Sequence, residues 1–165
     1  MYAQPTGSIV NALQSLRGHI IHVPERLGNV PEIELAHKVP GKWSRKEILG
    51  HLIDSAINNL KRFTDAQSLI GQATRQAYQV QGYDQNNLVL INRYNDLPLA
   101  HLLALWSSLN TQIIYVADIM SAEALSISVQ FGHTNQLNSE APDYTLGWLI
   151  EDYVAHLEHH LKTLL

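Results

Sequence analysis

Residues 44–63, SRKEILGHLIDSAINNLKRF, decide how the rest of the chain is read. Ser44 is a good helix N-cap and Glu47 stands three residues on. In that pairing the serine side chain accepts from the third helical amide while the glutamate reaches back to the cap's own N–H. Leu49, Leu52, Ala56, Leu60 and Phe63 then recur at three- and four-residue intervals, which predicts a helix from Ser44 to about Gln67 with one apolar face. A second row runs down the same helix: His51, Ser55, Asn58 and Arg62, spaced 4, 3 and 4 apart, form a polar strip. Such a strip lines a wet pocket inside a bundle or faces solvent, and periodicity alone favours solvent.

Working outward, Ile9, Leu13, Leu16, Ile20 and Val23 give a first helix over Thr6 to Val23. Pro24 is expected to end or kink it, since proline lacks the ladder N–H and clashes with the preceding turn. Residues 24–44, with Pro24, Pro31, Pro40 and Gly41, read as a connector holding a short turn near Glu25 to Leu27. On the other side, Thr74, Ala77, Tyr78 and Val80 fit a short strand or a loop, and Gln85 to Tyr94 a short helix. A third long helix starts near Asp96-Leu97-Pro98, with Asp96 as its cap, and runs through Leu102, Leu105, Trp106, Leu109, Ile113 and Val116 to Met120. Ser126 to Phe131 alternates as a strand, and a last helix runs from Asp143–Leu146 to the C-terminus. There is no internal repeat and no second-domain boundary, so residues 1–165 read as one all-α domain, a four-helix bundle with long connectors after helices 1 and 3. Connectors of that length leave simple up-down-up-down wiring unassured. Trp43, Trp106 and Trp148 read as core or connector anchors.

Composition narrows the function. Of 165 residues, 45% are apolar and 16% charged, below the roughly 25% charged of typical domains, so disorder is a poor reading. The net charge of −4 offers no basic field for nucleic acid. The absence of cysteine excludes disulfides, thiolate–zinc sites, iron–sulfur clusters and a cysteine nucleophile, and fits a reducing cytoplasm. No signal-peptide pattern opens the chain and no apolar run is long enough to span a membrane, so neither secretion nor a membrane partner is expected.

Nine histidines in a cysteine-free chain are the compositional oddity. His156 and His160, four apart in the last helix, lie about 40° apart on the wheel, one turn above the other. Helical His-x3-His pairs hold divalent metals with that spacing. Both lie on the side of the apolar stripe Leu149, Tyr153, Leu157 and Leu164, whereas His159 turns about 60° the other way, towards solvent. Two imidazoles facing a core need partners, and a hydrogen-bonded pair answers that need as well as a metal does. His51 is the best third candidate. His19, His22, His37, His101 and His133 have no comparable company and read as surface or locally bonded residues.

Pro40-Gly41-Lys42-Trp43-Ser44, Glu47-Ile48-Leu49-Gly50-His51-Leu52-Ile53-Asp54-Ser55, Asn58 and Arg62-Phe63 resemble the DinB/YfiT-like superfamily. His156-Leu157-Glu158-His159-His160 resembles that family's His-x2-His-His signature, and Tyr83-Asp84-Gln85-Asn86 a motif of its YfiT-like branch. The matches run over essentially the whole chain in the right order. Two positions depart: Asn87-Leu88 replace an aromatic residue, and the ending Leu161-Lys162-Thr163-Leu164-Leu165 lacks a frequent glutamine. The resemblance implies a bacterial, cytoplasmic four-helix bundle with a divalent metal, zinc or nickel, held by His51, His156 and His160. It further implies a small-molecule substrate, a homodimer, and hydrolase or thiol-transferase activity with a low-molecular-weight thiol as cosubstrate.

Three neutral histidines would leave a coordination position open, where a water or thiol becomes a nucleophile without any protein cysteine. Ser55, Asn58, Arg62, Tyr83 and Gln85 are the candidates for a substrate pocket, with Arg62 receiving an anionic group. Asp54 or Asp152 is a candidate to bond the outer nitrogen of a ligand histidine. The leading expectation is a metal-dependent enzyme performing S-transfer or hydrolysis. The alternatives are a non-catalytic metal- or small-molecule-binding bundle of the stress response, or a helical interaction module without metal.

Overall fold

Helices form where the apolar periodicity runs longest. The structure, a computed structural model, describes residues 8–72, 76–132 and 144–165. In chain order the elements are α1 (Ile9–Gly28), α2 (Glu32–Leu35), α3 (Arg45–Ala66), β1 (Tyr78–Val80), α4 (Gln85–Asn92), α5 (Leu99–Asp118), α6 (Ala122–Leu125), β2 (Ser128–Phe131), β3 (Tyr144–Thr145) and α7 (Leu146–Leu164). Among sequence expectations, Thr6, Gly7, Thr74, His133 and Asp143 lie outside the described residues.

The long helices α1, α3, α5 and α7 make a four-helix bundle. α3 packs on α5 and α7, and α1 packs on the same two. Helices consecutive among the four, α1 with α3 and α5 with α7, therefore stand on diagonals. A diagonal is about 11–14 Å when neighbouring axes are 8–10 Å apart, which a two- or three-residue turn cannot bridge at the required angle. The connectors at 29–44 and 119–145 cross those diagonals, whereas the longest, 67–98, joins the neighbours α3 and α5 and carries β1 and α4. The core is continuous, with Trp106, Phe63, Leu16, Leu102, Ile113 and Ile150 fully buried.

α3 starts as its sequence predicts. The Ser44 side chain accepts from the Glu47 amide, and the Glu47 carboxylate accepts from the Ser44 N–H at 2.8 Å. Two other boundaries differ from expectation. Pro24 lies inside α1, which continues to Gly28. An interior proline costs about 3 kcal/mol, but Val23 and Leu27 flank it and both are buried. At roughly 1.5–3 kcal/mol per buried aliphatic side chain, the two together outweigh the lost ladder bond. Asp96 does not cap α5. It sits in a 3₁₀ turn, Tyr94–Asp96, and accepts from Arg93 Nε at 2.8 Å, while Pro98 takes the N-cap position.

The small sheet has the order β1-β2-β3. β1 and β2 are parallel, with Tyr78 opposite Val129 and Val80 opposite Phe131, and β2 and β3 are antiparallel. It staples the two longest connectors together beside α7. Val80 and Val129 are its buried residues, and Tyr144 stacks on Trp148 with ring centroids 4.1 Å apart.

Candidate functional site

α3 and α7 run antiparallel: His51 meets His156 and His160 at one level, and Phe63 meets Tyr153 at another. At the first level, one ring nitrogen from each of the three histidines lies within 4.8 Å of the others. Among the described residues this is the one grouping of ligating side chains close enough to share an ion. His51 Nε2 and His156 Nε2 are 3.3 Å apart. Two donors on one tetrahedral cation, at about 2.0–2.1 Å each, stand about 3.3–3.4 Å from one another. The pair therefore already has the separation that a shared ion requires.

His51 is fully buried, which corrects the solvated reading of its strip. The wheel sums only the side chains of α3, whereas the burial comes from elsewhere. Trp43 in the preceding connector lies 5.0 Å from the imidazole, and the two α7 imidazoles close the opposite side. His159 is exposed, as its wheel position predicts.

Burial and mutual proximity also set the charge state. Desolvation, then the neighbouring imidazoles, push His51 down to about 3 and His156 to about 4. His160 is lowered for the same reasons. All three are neutral near pH 7, the protonation state a metal ligand needs. Nδ1 of His51 is buried with no hydrogen-bond partner among the described residues.

A stability consequence follows. The unfolded chain binds a proton at His51 near pH 6.5, and the folded chain does not until about pH 3. Protein stripped of metal with a chelator should thus lose stability as pH falls from 7.5 to 5.0, by about 2 kcal/mol from His51 alone. His156 adds to this loss; the carboxyls of Asp54 and Asp152, raised by burial, work in the opposite sense. Urea unfolding at the two pH values measures it, and equal stabilities would contradict the buried-imidazole geometry.

A cavity of about 220 Å³ adjoins the cluster at His156. Ser55, Arg62, Tyr83 and Gln85, all expected as pocket residues, line it. Asn58 does not: its amide donates to the Asp54 carbonyl at 2.8 Å, and Asn59 is the amide on the cavity wall. Asp152, Tyr153 and Phe131 close the α7 side. Tyr83 lies under Arg62, its ring centroid 5.7 Å from the guanidinium carbon, and its hydroxyl meets Ser55. Among the described residues Asp54 bonds no histidine. It accepts from the Tyr94 hydroxyl at 2.5 Å and from Asn92 at 3.0 Å, and this buried network ties the end of α4 to α3.

His19, His22, His37 and His101 stand apart from the cluster. His19 is hydrogen-bonded to Glu158 at 3.1 Å and to Ser15, His22 lies 3.8 Å from Glu25, and His37 and His101 are exposed. A larger cleft of about 500 Å³, between residues 69–72 and 123–128, brings no ligating side chains together. Asn59 and the role of Tyr94 escaped the sequence reading, and Trp43 entered it as a core or connector anchor, not as the ring against His51. The one available signal was Gly50, a glycine inside a strongly periodic helix, which marks a close approach by another element.

A sequence model of the DinB superfamily matches residues 16–164. Among solved structures the chain is similar to YfiT from Bacillus subtilis, described as a probable metal-dependent hydrolase with an unusual four-helix bundle topology. The TM-score is 0.77 at 16% identity, covering 94% of this chain and 83% of that one. It is also similar to the mycothiol-dependent maleylpyruvate isomerase, with a TM-score of 0.64 at 16% identity. That match covers 98% of this chain but 62% of the other, so the chain spans less than two thirds of that protein. At such identities the likeness is one of fold. No curated protein sequence matches the chain.

Proposed function

The chain belongs to the DinB superfamily, and from that premise we propose that it is a metal-dependent enzyme whose His51–His156–His160 cluster activates a small thiol, or a water in its place, for S-transfer to, or hydrolysis of, a small electrophile. The observation that carries this reading is the convergence of three neutral imidazoles at the edge of a polar cavity. Three nitrogen donors with no thiolate or carboxylate among them suit zinc, nickel, iron and copper alike and leave room for an exogenous ligand; the family resemblance favours zinc or nickel. When bound, such a cation supplies the Lewis acidity that lowers the pKa of a thiol or water. The chain's own residues do the rest. Trp43 packs against the His51 ring, Tyr83 and Ser55 wall the cavity, and the Asp84 cap, whose side chain accepts from the Asn87 amide, starts α4 at Gln85. The chain has no cysteine, so any reacting thiol comes as a cosubstrate. The metal- and thiol-dependence named for the two structural neighbours supports the same choice. The net charge of −4 and the cavity's size favour a small molecule over nucleic acid.

The test is to purify the protein without an affinity tag, quantify its metal, and incubate it with 1-chloro-2,4-dinitrobenzene and a panel of cellular thiols, and separately with activated esters. Conjugation or hydrolysis at least tenfold above the protein-free rate, lost on chelation, is the expected result. No acceleration with any thiol or ester would leave a binding role only.

A further inference from the structure

The cavity beside the imidazoles carries two charged side chains that the chemistry above leaves unused. Arg62 of α3 and Asp152 of α7 are both half-buried on its wall. Arg62 spends its bonds on neutral groups: one N–H donates to Asn59 Oδ1 at 3.2 Å, another to the Gln81 carbonyl at 2.6 Å, and the guanidinium lies over the Tyr83 ring. Asp152 has no hydrogen bond or ion pair among the described residues, and burial pushes its carboxyl up with nothing to offset it. Although they share one cavity, the two do not pair with each other. A half-buried charge without a countercharge is costly, and two of opposite sign held apart are more so. A ligand that brings both countercharges would relieve both.

The order of the charges is set by the helices. Asp152 lies one turn, about 6 Å, before His156 on α7. Arg62 lies about 16 Å beyond His51 along the antiparallel α3. Helical side chains lean towards the N-terminus, and the Arg62 contact with Asn59 shows that lean, so its guanidinium stands about 12 Å from the level of His51. Moving away from the imidazoles, the cavity presents a negative group first and a positive group second.

We propose that this cavity selects a small zwitterion, with an ammonium facing Asp152 and a carboxylate on Arg62, so that the ligand's uncharged reactive end lies towards the imidazoles. This deepens the reading above, since it takes the imidazole cluster as the reactive end. The ligand class is a short, peptide-like molecule whose amino-terminal residue carries the reacting group. The Asp152 and guanidinium levels are about 6 Å apart along helices whose axes stand about 8–10 Å apart, a separation that two or three extended residues at about 3.4 Å each bridge.

Calorimetric titration with Ser-Gly-Gly tests charge recognition without a thiol, in protein stripped of metal as well as in protein as purified. Cys-Gly-Gly adds the thiol. Binding of Ser-Gly-Gly should weaken tenfold or more when its carboxylate is amidated, and likewise when its amine is acetylated. Amidation should matter less than twofold in Arg62→Gln, and acetylation less than twofold in Asp152→Asn, while Arg62→Lys retains a preference for the free carboxylate. The matched ligands decide the matter in the wild-type protein even where a variant folds poorly. Absent binding, indifference to amidation or acetylation, or the same preferences persisting in the variants would overturn the proposal. Charge-dependent binding without turnover of any thiol would remove the enzymatic reading and leave this one standing; turnover indifferent to both charges would do the reverse.

Discussion

His51→Ala is expected to take the protein from one tightly held divalent cation per chain to near zero. The two α7 imidazoles would remain, but a helical His pair alone is two donors on one side of an ion, with solvent on the other. Altering a residue that only orients a ligand histidine costs roughly 10–100-fold in metal affinity. Removing one of the three proposed ligands, the one supplied by the opposite helix, should exceed that range. His160→Ala should match it, and His159→Ala, altering an exposed neighbour on the same helix, should leave the metal content unchanged. Elemental analysis after dialysis against a weak chelator reads all three. The variant carries a second, independent readout. His51 is fully buried and held neutral down to about pH 3, so its removal should also take away about 2 kcal/mol of the stability difference between pH 7.5 and pH 5.0 in the metal-free protein. Full metal occupancy in His51→Ala would sink the three-imidazole centre. A lost pH dependence alongside it would still show that the buried imidazole is where the geometry puts it.

What the sequence made legible tracks how local each determinant is. The capping box at Ser44 and Glu47 and the long apolar stripes depend on residues within one or two turns of each other, and the four long helices follow from them. The inward turn of His156 and His160 is likewise a property of α7 alone. The burial of His51 is not. On its own helix it belongs to a polar strip, and only Trp43 and α7, brought up by the tertiary fold, enclose it. The resemblance pointed to His51 where periodicity pointed away. Pro24 shows the same limit in reverse: the local rule breaks a helix there, and the core's claim on Val23 and Leu27 overrides it. β3, two residues long, has too little pattern to be read at all. Asn58 and Asn59 both donate to their own helix, at Asp54 and Ser55, so the exchange of one for the other at the cavity wall turns on Asn59 alone accepting from Arg62.

Gly50→Ala should destabilise the fold by about 2–4 kcal/mol, although by helix propensity alone alanine would stabilise an interior helical position by about 1 kcal/mol. The reason is Tyr94. A β-carbon at residue 50 would stand 2.0 Å from Tyr94 Cδ2, 2.1 Å from its Cγ and 2.7 Å from its Cβ. These atoms are the base of a buried ring and not the tip of a flexible chain, so the 3₁₀ turn itself would have to retreat. Overpacking of that kind typically costs 1–3 kcal/mol. Retreat also draws the Tyr94 hydroxyl from the Asp54 carboxylate, whose other oxygen is already buried without a partner among the described residues. Under-satisfying a buried acceptor adds about 1–3 kcal/mol, against which the propensity gain is small. The control is Gly18→Ala, in the middle of α1, where an added β-carbon meets nothing within 4 Å and stability should hold or rise. Coupling identifies the mechanism: in a Tyr94→Ala background the ring atoms are gone and only the β-carbon of residue 94, 2.7 Å away, still has to give, so Gly50→Ala should cost less there and the double variant should be more stable than the two single losses added together. Urea midpoints for the four proteins give the cycle. A Gly50→Ala protein as stable as wild type, or additivity with Tyr94→Ala, would mean that the ring does not rest against α3 and that the Asp54 network does not tie the end of α4 to α3.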